Sequence, residues 1–212
     1  MKVSFVKISL GAALLALFGG CYPKGPVYYS DSDLAATNYD SGFNFGEQAY
    51  YAMPDSVVHV VDPDERNPVI DRTYDQTILD RLASNMESRG YERVSIDVAV
   101  IDSTFILQPY VWSATSTGII YDYGYWGWYY PPYGGFYPYY PWGGYVYNYT
   151  YGTVLVDIVD LKGIDIEEEF IPIVWTGALN GALSDNATDV RNRIRNGLDQ
   201  CFEQSPYLKA AE

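Results

Sequence analysis

Two periods of apolar spacing run along this chain. Ile78, Leu79, Leu82, Ala83 and Met86 recur at helical spacing and predict one amphipathic helix. Asp71 stands ahead of it as the expected N-cap, its carboxylate able to accept from first-turn amides. Gly90 follows the stripe where a left-handed cap is wanted. Arg81, Glu87 and Arg89 are expected to face water. A second stripe, Val190, Ile194, Leu198 and Phe202 with Cys201 beside it, predicts a final helix. Asn186-Ala187-Thr188-Asp189 reads as its capping box, with a shorter acid in the last place. Arg191, Arg193 and Arg195 are expected to point away, and Pro206 closes the element.

Elsewhere the period is two. Val94, Ile96, Val98 and Val100 alternate with Ser95, Asp97 and Ala99, which predicts a long half-buried strand from Val94 to Trp112. The alternation slips at Ile101-Asp102, after which Phe105, Leu107 and Val111 hold the odd positions, so a bulge is expected there. Val154, Val156 and Ile158 predict a second strand with Lys162-Gly163 as its turn. Glu167, Glu168 and Glu169 are expected in solvent. Ile171, Ile173 and Trp175, in phase with Gly177 and Leu179, predict a third strand. Shorter extended pieces are expected at Val27 to Ser30, Gln48 to Met53 and Ser56 to Val61. The sum is an α+β domain: an antiparallel sheet with two helices packed on it.

Between the strand predictions lies Tyr121 to Tyr151, which breaks both periods. It holds 13 of the 23 tyrosines, three of the five tryptophans, Phe136, six glycines and four prolines. Asp122 is its single charge, and the chain has no Lys or Arg between Arg93 and Lys162. The segment reads as a loop inserted between core strands. Tyr145, Tyr147, Tyr149 and Tyr151 alternate at period two and are expected to continue the sheet.

Charge narrows the function classes. The net charge is -14, and a chain this acidic lacks the basic face that nucleic acid or anionic lipid requires. Residues 1–20 have the parts of a bacterial export signal: Lys2 and Lys7, an apolar run from Ile8 to Phe18, then Gly19-Gly20. The run is too short to span a bilayer as a helix, which needs about 20 residues. It ends on Cys21, and Phe18-Gly19-Gly20-Cys21 resembles a lipobox, with Phe18 where Leu is commoner. The resemblance implies acylation of Cys21 by fatty chains such as palmitate, and two or more chains hold a protein stably on a membrane. Tyr22, where an Asp would signal retention, implies the outer membrane, with the domain facing the periplasm. Cys201 is then left without a partner and is expected to act as a small buried hydrophobe.

Several short motifs, taken in order, resemble the bacterial domain of unknown function DUF4136, common in proteins with lipoprotein leaders. Asn44-Phe45 and Tyr51-Ala52 with Pro54 are similar to its first segment, Met53 standing where that family usually has Trp. Asn67-Pro68, Ile78, Leu82 and Gly90-Tyr91 are similar to its helix. Gly152-Thr153-Val154-Leu155-Val156-Asp157-Ile158-Val159-Asp160 and Val174-Trp175-Thr176-Gly177 are similar to its hairpin, with Thr176 replacing a basic residue. The resemblance implies an α+β fold and no established activity. The chain divides into a signal peptide (1–20), a tether (21–37), the domain (38–206, with 121–151 inserted) and a tail (207–212).

Catalytic chemistry needs a constellation, and none stands out. His59, the single histidine, lies in a Val-rich stretch and is expected to be structural or exposed. There is no G-x-S-x-G, P-loop, H-E-x-x-H or CxxC. No catalytic residue, metal ligand or cofactor is assigned, and the chain is not expected to be an enzyme. The functional expectation is a lipid-anchored envelope protein that binds or scaffolds through exposed aromatics: Tyr125, Trp126, Trp128, Tyr129, Tyr130, Tyr133, Phe136, Tyr137, Tyr139, Tyr140 and Trp142. Such rings suit lipid headgroups, glycan faces or a protein partner. The alternatives are an envelope glycan hydrolase using a carboxylate pair and a purely structural lipoprotein.

Overall fold

The computed structural model describes residues 34–61, 70–96, 104–112, 137–141, 152–165, 167–180 and 186–211. The leader, Cys21, the extended piece at Val27 to Ser30, the slip at Ile101-Asp102 and most of the aromatic segment lie outside these residues.

Eight strands are described: β1 (Leu34–Tyr39), β2 (Tyr50–Ala52), β3 (Val58–Val60), β4 (Glu92–Val94), β5 (Thr104–Trp112), β6 (Tyr137–Tyr139), β7 (Val154–Asp160) and β8 (Phe170–Asn180). Two helices accompany them, α1 (Asp75–Ser88) and α2 (Ala187–Glu203). The sheet runs β1-β8-β7-β5-β2-β4, with β3 also on β5 and β6 also on β8. Its centre, β5-β7-β8-β1, is antiparallel. The rest is parallel: β2 to β4 and to β5, β3 to β5, and β6 to β8. The sheet is therefore mixed, which corrects the antiparallel expectation.

The reason lies in the connections. β2 and β3, separated by a turn that contains Pro54, pair with the start and the end of β5 (Tyr51 opposite Phe105, His59 opposite Val111). The chain then runs through α1 and returns as β4 on the other side of β2, the helical crossover that parallel neighbours require. The single strand expected from Val94 to Trp112 is thus two, β4 and β5, lying on opposite sides of β2.

A second correction concerns β8. Ile158 pairs with Trp175 but Val159 pairs with Ile173, so Val174 is an extra residue and the register shifts. Ile171 and Ile173 therefore face the opposite side of the sheet from Trp175 and Leu179. On the helix side, Tyr51, Phe105, Leu107, Val156, Ile158, Trp175 and Leu179 pack with Ile78, Leu82 and Met86 of α1 and Val190, Ile194, Leu198 and Phe202 of α2. The fit is close: a Cβ on Gly197 of α2 would stand 2.3 Å from Leu179 Cδ1.

The helix ends are built differently from expectation at one point. Asn186 caps α2 as expected, its Oδ1 accepting from Thr188 N at 2.9 Å and Asp189 N at 3.3 Å. Gly90 ends α1 with φ +88, letting the Tyr91 amide reach back to Met86 O. Asp71, however, accepts from Thr73 N in the preceding turn, and the N-cap is Tyr74, with no side-chain cap.

Three arginines read as solvent-facing do structural work. Arg81 forms a two-pronged ion pair with Asp199 across the helices. Arg89 donates to Ser205 O and Phe202 O at the end of α2. Arg193, three and four residues from Val190 and Gly197, sits within the buried stripe and is 5% exposed, its head toward Asp189 at 3.9 Å. Long aliphatic stems make such burial affordable. Arg191 lies over the Tyr74 ring.

The ends of the domain extend past their sequence limits. β1 takes in residues 34–37, read as tether, and Leu208 and Ala210, read as tail, are buried. Ser205 accepts from Trp175 Nε1 at 2.8 Å and contacts Tyr207 Oη at 3.2 Å, and Tyr207 stacks on Tyr39 of β1.

Candidate functional site

The sheet face opposite the helices carries a second apolar cluster: Val58, Val60, Ile106, Tyr110, Trp112, Leu155, Val159, Ile171, Ile173 and Ala178. In its middle stands Asp157 of β7, 1% exposed. Its register partners are Gln108 on β5 and Thr176 on β8. Thr176 Oγ1 donates to Asp157 Oδ1 at 2.6 Å, and Tyr140 Oη donates to Oδ2 at 3.2 Å. Gln108 Nε2 is turned to Pro109 O at 3.1 Å.

Two forces oppose each other at this carboxyl. The hydroxyl bonds favour the charge, and burial disfavours it. Burial wins, and the carboxyl is pushed up to about 7. An acid group moved this far toward neutrality, bonded to the aromatic segment, marks a candidate site in its own right. Sequence reading placed no role here. A signal was available: Leu155 and Val159, which share the Asp157 face, are apolar, so this strand is buried on both faces.

The aromatic segment is described at residues 137–141. β6 pairs Tyr137, Pro138 and Tyr139 with Phe170, Ile171 and Pro172. Tyr139 is 48% exposed and its ring lies 5.0 Å from that of Phe170. Tyr140, the next residue, points the other way, onto Asp157. Of the other expected binding residues, Tyr137 is placed in β6 by its backbone. Tyr125, Trp126, Trp128, Tyr129, Tyr130, Tyr133, Phe136 and Trp142 lie outside the described residues.

A second cluster sits on the helix side. His59 is buried at 5%, and its Nε2 lies 2.8 Å from Asp75 Oδ1, while Arg72 donates to Asp75 Oδ2 at 2.9 Å. A cavity of about 50 Å³ opens beside them, floored by Ile78, Val111, Val154, Val190 and Ile194 and rimmed by Asp71 and Tyr74. This volume holds a few waters. Asp71 and Asp75 share the rim, but Asp75 is matched by Arg72 and His59, and the bonds from Thr73 hold Asp71 below the usual carboxylate range.

Among the described residues no three His, Cys, Asp or Glu side chains converge on a metal site, and no helix is long and apolar enough to cross a membrane. Cys201 is buried, its Sγ 3.8 Å from Ala178 O, and burial pushes its thiol up to about 12.

Known proteins place this architecture. A crystal structure of a DUF4136 family protein from Bacteroides thetaiotaomicron shares 26% identity and a TM-score of 0.63, the match covering 84% of this chain and 97% of that one. A PelC dodecamer from Paraburkholderia phytofirmans and a single-substitution variant of it align at 9% and 11% identity with TM-scores of 0.39 and 0.40, covering 85% and 83% of this chain and 99% of each of theirs. That likeness is too slight to inform fold or assembly. Among curated proteins none is significantly similar. The family model for DUF4136, a domain of unknown function, matches residues 35–207, and the chain belongs to that family.

Proposed function

We propose that this protein is a lipid-anchored module of the bacterial outer membrane, facing the periplasm, that binds or scaffolds envelope components through its aromatic segment. The observation that carries the reading is the pair Tyr139 and Tyr140. One ring is held outward beside Phe170 on a strand paired with β8, and the next residue is tied inward to Asp157. Adjacent residues with opposite tasks make a mounted surface: the exposed ring gains a fixed position from the buried one. A ring fixed in advance loses little entropy on binding, which is the advantage of aromatic anchors.

The leader supports the location. Cys21 follows a lipobox-like sequence, and acyl chains there attach the domain without a membrane-spanning helix. The partner presents a flat apolar face: a sugar ring, a lipid headgroup layer or an aromatic protein surface. The test uses the full chain against three probes: peptidoglycan sacculi, vesicles of outer-membrane lipids, and the chain itself by sedimentation. Replacing Tyr125, Trp126, Trp128, Tyr129, Tyr130 and the exposed Tyr139 by Ser is expected to weaken one of these at least about ten-fold. Unchanged behaviour with all three would refute the binding role.

A further inference from the structure

The molecule's other candidates lead less far. The His59–Asp75–Arg72 group is internally matched, its cavity is small, and Cys201 is the single thiol among the described residues. Asp157 differs, because a segment of chain closes over it.

We propose that Asp157 and Tyr140 form a pH-sensitive latch, closed over a neutral carboxyl and loosened when the carboxyl ionises, that sets how firmly Tyr137 to Pro141 are held on the sheet. The inference rests on the binding role assigned to the aromatic segment and names a means of regulating it.

Asp157 lies at the centre of the sheet, where neighbouring strands deny it water on both sides. Among the described residues, the groups facing it are Gln108 of β5, Thr176 of β8 and Tyr140 of the segment after β6, and Tyr110 of β5 lies on the same face. Tyr140 and Tyr110 are the titratable ones, and neither carries positive charge. The long segments around β6 supply no cation either, since the chain has no Lys or Arg between Arg93 and Lys162. Two hydroxyl donors are a poor substitute for a hydration shell, and a carboxylate left without a cation in such a place is costly.

A neutral carboxyl keeps both contacts, because it can donate or accept at either hydroxyl. An ionised one gains more by meeting water. Thr176 is fixed within β8, whereas Tyr140 lies just past the end of the three-residue strand β6, so Tyr140 is the side from which water enters. Burial already pushes this carboxyl up toward neutral pH despite the two hydroxyl bonds. Opening lets water reach the carboxyl and lowers its hold on the proton. Proton binding and closure are then linked: acid favours the closed arm and alkali the open one.

The test is hydrogen exchange by mass spectrometry on the full chain, following peptides that contain Tyr139 and Tyr140 at several pH values, corrected for intrinsic exchange rates. Wild type is expected to lose protection there by about ten-fold or more between about pH 5 and pH 8, while β7 and α1 change far less. Asp157→Asn should remain protected throughout. Tyr140→Phe should be less protected than wild type at the acid end. An identical pH response in wild type and Asp157→Asn, or a flat response in wild type, would overturn the latch. If Asp157→Asn does not fold, Tyr140→Phe decides, and wild-type protection at both pH values would overturn it. No ligand enters this readout, so the latch can fail while the binding role stands, and the reverse.

Discussion

Asp157 ties stability to pH with a definite sign. Its unfolded value is the ordinary 3.8 and its folded value is about 7. Between the two, the folded chain holds a proton that the unfolded chain has lost. Its contribution is therefore whole below the lower value and drains away as pH rises through the upper one. Asp157→Asn should leave stability unchanged near the acid end of this window. At alkaline pH it should raise stability by up to about 4 kcal/mol, less whatever opening of the Tyr140 arm relieves. Urea unfolding at both pH values measures this, and a destabilised variant at alkaline pH would contradict it. Gly197 gives a second residue-scale test. Alanine there gains up to about 1 kcal/mol of helix propensity but puts a methyl 2.3 Å from Leu179 Cδ1. Overpacking of this kind costs about 1–3 kcal/mol, so Gly197→Ala should lower the melting temperature. At this scale sequence reading saw Cys201 correctly as a buried hydrophobe but missed Asp157 and Arg193. Both are polar residues set among apolar ones, and a one-dimensional pattern assigns such residues to water.

At the scale of elements, the helix α2 is secured from outside itself. Its end is held by the Arg89 guanidinium of the α1 terminus, on Phe202 O and Ser205 O. Charge-assisted bonds of this sort contribute about 1.5–3 kcal/mol. Arg89→Ala should lower stability by roughly that amount and speed exchange of amides after Phe202 more than those near Val190. Even exchange along α2 would argue against the cap. Both helices, β7 and β8 were legible because each has its own repeat of apolar positions. Strand order was not. Whether Glu92–Val94 and Thr104–Trp112 are one strand or two depends on β2 lying between them, a contact made far along the chain. Periodicity also cannot show an inserted residue, so Val174 sent Ile171 and Ile173 to the other face.

For the whole molecule, the family and the two-helix α+β plan were legible from motifs in sequence order. The mixed sheet was not, because its parallel pairs join strands far apart along the chain, β2 to β4 across α1 among them. The anchor predicts that Cys21→Ala moves the protein from the membrane to the soluble fraction and removes the mass of the acyl chains. A variant that stays membrane-bound at unaltered mass would remove the anchor from the account. Removing all of the aromatic segment would strip Tyr140 from Asp157 and confound binding with stability. The most direct measurement keeps Tyr140 on Asp157 and replaces Tyr125, Trp126, Trp128, Tyr129, Tyr130 and Tyr139 by Ser in the full chain. Its binding to sacculi, lipid vesicles and itself is then compared with wild type. The account predicts at least about a ten-fold loss toward one of them with the fold intact, and equal binding to all three would contradict it.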